Sequence, residues 1–203
     1  MADKQRIIVG ISGASGVIYG VRALQVLATM EHIETHLVMS DAARLNIAIE
    51  TDHKAEEIKT LADVNHSPDN LAATIASGSF RTVGMMVLPC SIKTLSGIAN
   101  SYADNLLVRA ADVVLKEQGK LVLVVRETPL HLGHLKLQVQ AAECGAVILP
   151  PVPAFYHQPR SIEDIIDHTV GRVFDQFGLE HDLYRRWGGR RSADQQADGS
   201  SGE

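Results

Sequence analysis

Residues 121–125 read Leu-Val-Leu-Val-Val, five aliphatic residues with no polar position on either face. A strand with one wet face alternates in polarity, so a strand without alternation must be covered on both sides. A parallel sheet with helices on both faces meets that condition. Further short apolar runs fall at 7–11, 34–39, 85–88 and 146–149, and helical patterns lie between the runs at 17–30, 41–49, 95–100, 105–118 and 132–144. This alternation predicts a single-domain α/β fold built on a doubly wound parallel sheet. Ligands bind such sheets beyond the C-terminal strand ends. The residues that follow each run are therefore the ones to read for function.

Two regions fit the alternation less well. Residues 51–79 are polar, with a helical patch at 54–61 and a turn at Ser67-Pro68-Asp69, and are expected on the rim. Residues 150–159 carry Pro150, Pro151, Pro153 and Pro159. Proline lacks the N–H and fixes φ, so no regular structure is expected there. A last helix should start near Ser161, with Ser161 and Asp164 placed as a capping box. Its apolar stripe is Ile162, Ile165, Ile166, Val170, Val173 and Phe177. The domain is expected over 1–188, and the small polar residues of 189–203 predict a disordered tail.

The 203 residues are enough for one well-buried domain. Hydrophobic residues make up 45% but aromatics only 4%, so the core must be aliphatic. A net charge of -5 counts against nucleic acid as the main partner. No apolar run is long enough to span a bilayer, and the chain enters its first strand without a charged-then-apolar leader. Cys90 and Cys144 form neither a disulfide framework nor a metal pattern. A reduced, cytoplasmic protein is the simplest reading. His131 and His134 are three apart, but no carboxylate or cysteine completes a ligand set, so no metal is expected. Cys90 has no histidine near it in sequence to make it a nucleophile.

The first run is followed by Ser12-Gly13-Ala14-Ser15-Gly16. The glycines are spaced G-x-x-G-x-x-G, not the G-x-G-x-x-G of dinucleotide sites. Ser40, not an acidic residue, closes the second run, which also counts against a dinucleotide. Ser12, Ser15 and Ser40, with free N–H groups at the start of the Val17 helix, suit a phosphate or the edge of a flat heterocycle. A tight strand–helix turn would use the same residues. After the third run, Ser91-Ile92-Lys93-Thr94 opens a helix with hydroxyls and a lysine, again an anion-binding arrangement. Capping alone would explain Ser91 and Thr94 but not Lys93. After the fourth run come Arg126 and Glu127: a bidentate phosphate ligand with a proton-transfer carboxylate, or a salt bridge on the rim. Arg109, Asp112 and Lys116 share one helix face, either as paired surface charges or as a basic face aimed at a phosphate across a subunit boundary. Arg172 borders the last helix's stripe, and Tyr156 lies in the proline-rich segment. Trp187, the one tryptophan, sits in a polar neighbourhood and needs something to cover.

The blocks GISGASGVIYGVRALQVL, ETHLVMSDAARLNIAIETD, LPCSIKTLSGIANSYADNLLVRAADVVLKE, LVLVVRETPLHLGHL, PPVPAFYHQP and RRWG strongly resemble the UbiX-type flavin prenyltransferases, in order from Arg6 to Trp187. The related cysteine-type flavin decarboxylases carry a histidine before the third strand; here Ser77 to Thr82 reads Ser-Gly-Ser-Phe-Arg-Thr. That departure counts against an FMN-dependent decarboxylase. A non-catalytic FMN carrier is the other alternative, but it would not need a second phosphate site.

The resemblance implies a Rossmann or flavodoxin-like fold and a metal-independent enzyme. It implies that the dimethylallyl group of dimethylallyl phosphate is joined to N5 and then C6 of reduced FMN, closing a fourth ring. The prenylated FMN would pass to a UbiD-type decarboxylase, with the ubiquinone pathway as its setting. By the same resemblance FMN is held by Gly13, Ala14, Ser15, Ser40, Ser91, Ile92, Lys93, Thr94 and Arg126. The prenyl phosphate meets Tyr156 and Arg172, with Arg109, Lys116 and Glu127 contributing, some from a neighbouring subunit. Ser15, Glu50 and Glu127 are the expected catalytic groups, and Trp187 covers the prenyl chain. A large homo-oligomer, commonly a dodecamer, is implied as well.

Overall fold

The computed structural model describes residues 4–188. β1 (Gln5–Ile11), β2 (Ile33–Met39), β3 (Val64–His66), β4 (Gly84–Cys90), β5 (Lys120–Val125) and β6 (Val147–Ile148) form one sheet in the order β3-β2-β1-β4-β5-β6. Every pairing is parallel. The helices are α1 (Val17–Leu27), α2 (Asp41–Glu50), α3 (Ala55–Lys59), α4 (Ile92–Ala99), α5 (Leu106–Lys116), α6 (Leu132–Glu143) and α7 (Ile162–Phe177).

Alternate residues of each strand feed two cores. Ile7, Val9 and Ile11, with Val122 and Val124, pack against Leu24 of α1 and Phe174 of α7. Ile8, Leu121, Leu123 and Val125 face the other way, onto Leu95 of α4 and Leu107 of α5. The unbroken apolar run of β5 is thus explained: both of its faces are covered, and its residues 121–124 have no exposed surface. The strand order runs outward in one direction from β1 and in the other from β4. The switch between them leaves a crevice past their C-terminal ends.

The structure adds β3 within the polar stretch expected on the rim. It also starts α4 at Ile92, three residues earlier than expected. In α7 the capping box of Ser161 and Asp164 forms. Ile162, however, points outward and is 72% exposed, while Phe174 takes an inner position. The expected tail over 189–203 lies outside the described residues. Among those described, no helix is long and apolar enough to cross a membrane.

Candidate active site

The ends of β1 and β4 open into a cleft of about 1080 Å³ lined by Gly13, Ser40, Ser91, Ile92, Lys93, Thr94 and Glu127, among others. Three helices begin at this cleft, each with a side-chain cap. Ser40 Oγ accepts from Ala43 N at 3.1 Å, Ser91 Oγ from Thr94 N at 3.3 Å, and Asn105 Oδ1 from Val108 N at 3.1 Å. Such caps occupy the N–H of the third helical residue and leave earlier ones, such as those of Ile92 and Lys93, outside the helical ladder. Their positive helix ends converge on one space, a setting for an anion. Gly13 is required for its size: a Cβ there would stand 2.3 Å from Ala42 Cβ.

Ser12 does not face the cleft as the sequence reading proposed. It is fully buried, and its hydroxyl donates to Pro89 O at 3.0 Å and accepts from Ser91 N at 2.8 Å. The first N–H groups of α1 are not free either. Gly16 N and Val17 N donate to Glu50 Oε2 at 2.8 and 3.2 Å. Any phosphate is thereby directed away from α1 and toward α4 and α2. The same contact brings Glu50, from the end of α2, against the turn that carries Ala14 and Ser15. Ala14 is buried and Ser15 is exposed.

Arg126 and Glu127 do not pair with each other. Glu127 Oε1 accepts from Thr128 N at 3.0 Å. Arg126 is exposed and makes no ion pair among the described residues. Cys90 is fully buried, and burial pushes its thiol far above the ordinary value, so it is not a nucleophile.

A second cluster joins the proline-rich segment, α7 and the residues after it. The Tyr156 hydroxyl lies 3.1 Å from His168 Nε2, and the Tyr156 and Trp187 rings meet edge to face at 5.6 Å. His157 stacks on His168 at 4.9 Å, and both of its ring nitrogens are buried without a hydrogen-bond partner among the described residues. Burial, then the nearby His157 and Arg172, lower the pKa of His168, with Asp175 opposing. Arg172 Nη1 donates to Asp175 Oδ2 at 3.1 Å. Tyr19 of α1 neighbours Thr169 of α7 and feels the charge of Arg126. Burial raises the pKa of its phenol, while Thr169 of α7 and then the charge of Arg126 act against that rise.

Arg109 and Lys116 are not brought to either cluster. Arg109 reaches Ala76 O at 3.3 Å and Asp112 Oδ2 at 3.0 Å. Lys116 pairs with Glu117, not with Asp112, at the end of α5 away from the cleft. Tyr19, His157, His168, Asp175 and Tyr184 join these clusters without standing out in the sequence. A signal existed for two of them: His168, Arg172 and Asp175 are spaced four and three apart, which is one helix face.

A family model described as Flavoprotein matches residues 1–174. The chain is 65% identical over 187 residues to the flavin prenyltransferase UbiX of Escherichia coli strain K12, across 91% of this chain and 99% of that protein. A dodecameric FMN-dependent UbiX-like decarboxylase from Escherichia coli O157:H7 superposes with a TM-score of 0.90 at 54% identity, covering 91% of this chain and 100% of that one. AnUbiX (PadA1), solved with FMN and dimethylallyl pyrophosphate, also gives 0.90, at 47% identity over 93% of this chain and 100% of that one.

Proposed function

The chain belongs to the flavoprotein family and is a flavin prenyltransferase of the UbiX type, and from that premise we propose that it transfers the dimethylallyl group of dimethylallyl phosphate to N5 and C6 of reduced FMN. The observation that carries this reading is a pair of separate clusters, one where three helix N-termini meet at the cleft and one that holds Tyr156 and Arg172. An FMN carrier would need one such cluster; a transferase of phosphate-bearing substrates needs two. Both sites fit on their own residues. In the cleft the Ile92 and Lys93 N–H groups open α4 outside its helical ladder, and in the second cluster His157 keeps two buried nitrogens unmet beside Tyr156.

Bound in the cleft, reduced FMN supplies the nucleophilic atoms. The residues of the chain do the rest. Ser40 and the start of α4, from Ser91 to Thr94, hold the FMN phosphate with Arg126. Glu50 Oε2 is engaged by Gly16 N and Val17 N, so its other oxygen is the one available to move a proton beside Ser15. Tyr156 and Arg172 receive the prenyl phosphate and stabilise it as it departs, with Trp187 over the prenyl chain. Arg109 and Lys116 are engaged within their own chain away from both clusters, so they serve a neighbour's site in a homo-oligomer, which we take to be a dodecamer, while Glu127 acts in the cleft it lines. The same reading puts the enzyme in the cytoplasm, on the route to ubiquinone, with a UbiD-type decarboxylase as recipient.

The test is anaerobic incubation with reduced FMN and dimethylallyl phosphate, followed by mass spectrometry of the flavin. The expected product is heavier by one five-carbon unit; its absence beside an active control enzyme overturns the reading. Arg172→Ala should raise the KM for dimethylallyl phosphate about tenfold to a hundredfold, the value of a charge-assisted hydrogen bond, with FMN affinity unchanged. Equal losses of both would contradict the role assigned to Arg172.

A further inference from the structure

Four donors converge on the Asp175 carboxylate. Oδ2 accepts from Arg172 Nη1 at 3.1 Å and from the Tyr184 hydroxyl. Oδ1 accepts from Arg186 Nη2 at 2.6 Å and lies 3.1 Å from His181 Nε2. A carboxylate offers about four lone-pair sites, so Asp175 has no capacity left for another task. Three of the donors come from the segment 181–187, and the fourth is Arg172, one turn earlier in α7.

We propose that Asp175 is a positioning residue for the prenyl donor: it aims the Arg172 guanidinium and pins the segment 181–187 onto α7, setting Trp187 against Tyr156. This rests on the reading that Tyr156, Arg172 and Trp187 receive dimethylallyl phosphate. The only other side chain recorded on Arg172 among the described residues is Tyr184, whose hydroxyl is 3.5 Å away and itself held by Asp175. Without the carboxylate, Arg172 loses both restraints. Tyr184 also stands edge-on to His168 at 4.7 Å, and His168 contacts the Tyr156 hydroxyl, so the pinned segment reaches both phosphate ligands.

A second observation shows that the segment has a built seat. A Cβ on Gly171 would lie 2.6 Å from Tyr184 Cδ1 and 2.7 Å from His181 Cε1. The glycine lets the segment lie flush on α7. Nor is Asp175 an ordinary surface partner, for which a contribution of about 0–1 kcal/mol is typical: its side chain is only 13% exposed and is shared by all four donors. Burial pushes the carboxyl up, but hydrogen bonds from Arg186, Tyr184 and His181 more than reverse it and leave it at about 2. The latch is therefore charged throughout the neutral range.

The test uses Asp175→Asn, Asp175→Glu and Gly171→Ala in the full chain. The protein has one tryptophan, so Trp187 emission and its quenching by acrylamide read the segment directly, with and without FMN. Asp175→Asn should raise the KM for dimethylallyl phosphate about tenfold to a hundredfold, change kcat less, and leave FMN affinity unchanged. Trp187 emission should shift red and quench more readily. Asp175→Glu should recover part of both losses. Gly171→Ala should repeat them with the carboxylate intact, and it decides the matter if Asp175→Asn does not fold. Wild-type KM and emission in the variants would overturn the proposal, as would parallel loss of FMN and donor binding. A wild-type protein that prenylates no flavin would overturn the functional reading instead, while the emission data would still report on the latch.

Discussion

The Ser12 hydroxyl, just past β1, donates to Pro89 O in β4 and accepts from Ser91 N just beyond it, so a single buried side chain couples β1 to β4 at the mouth of the cleft. Its partner, Ser91 N, belongs to the residue that caps α4, and the geometry of that cap therefore depends on a group that never faces the ligand. Ser12→Ala leaves Ser91 N–H without its partner, while Pro89 O keeps the Ser12 backbone N–H at 3.2 Å. Such an unpartnered group costs about 1–3 kcal/mol. Chemical denaturation should show a loss in that range, and flavin titration should show weaker FMN binding as the cap shifts. Wild-type stability in the variant would remove Ser12 from this role. In the sequence, Ser12, Ser15 and Ser40 are equivalent hydroxyls after apolar runs. What separates them is burial, which no spacing encodes. Arg126 and Glu127 teach the same point differently: neighbours at a strand end project to opposite sides, so adjacency in sequence did not make them a pair.

Elements with a full period were legible, and of the short ones α3 and β6 were expected while β3 was not. β5 and α7 announced themselves by pattern and cap, whereas the three residues of β3 are too few to show alternation. What holds β3 is a side-chain chain across the sheet edge. Arg6 Nε donates to Glu34 Oε1 at 3.0 Å, His36 Nε2 lies 2.8 Å from the same oxygen, and His36 Nδ1 lies 3.0 Å from His66 Nε2. Phe80 stands edge-on to His36. Burial, then the facing His36, lower the pKa of His66 below its ordinary 6.5. His168 in α7 is lowered from the same value. A histidine with a lowered folded pKa takes its proton more readily unfolded, so stability falls as pH drops from 6.5 through the folded values. Glu34 is also lowered, by His36 first, and adds a further loss in the more acid range below 4.5. The melting temperature should therefore decline on acidification in two stages, and His66→Gln should flatten the first. A melting temperature independent of pH between neutrality and 5 would contradict this arrangement.

At the scale of the molecule, α6 packs on α4 through Leu137, Gln140 and Ala141 but leaves its other face bare. Of its twelve residues only Ala141 is buried. Leu132, Leu135 and Val139, three and four apart and so on one face, are 65%, 45% and 58% exposed. The strand beside it, β6, is an edge of two residues and only half-buried. Contiguous apolar surface of this kind marks an interface, and closed symmetry lets one such patch build a homo-oligomer. The aliphatic composition hinted at this surplus, but no pattern in α6 says which face lacks a partner until the rest of the fold has claimed its own. On the proposed reading, Arg109 and Lys116, each paired within its own chain, would serve a phosphate in a neighbour's site of such an assembly. Leu135→Glu places a charge in the exposed stripe without touching either cluster. Sedimentation should find a smaller species with unchanged circular dichroism, and prenyl transfer should fall further than FMN affinity. A variant that sediments like the wild type would show that the α6 face is not the interface. One that dissociates but transfers the prenyl group at the wild-type rate would show that each chain carries a complete site.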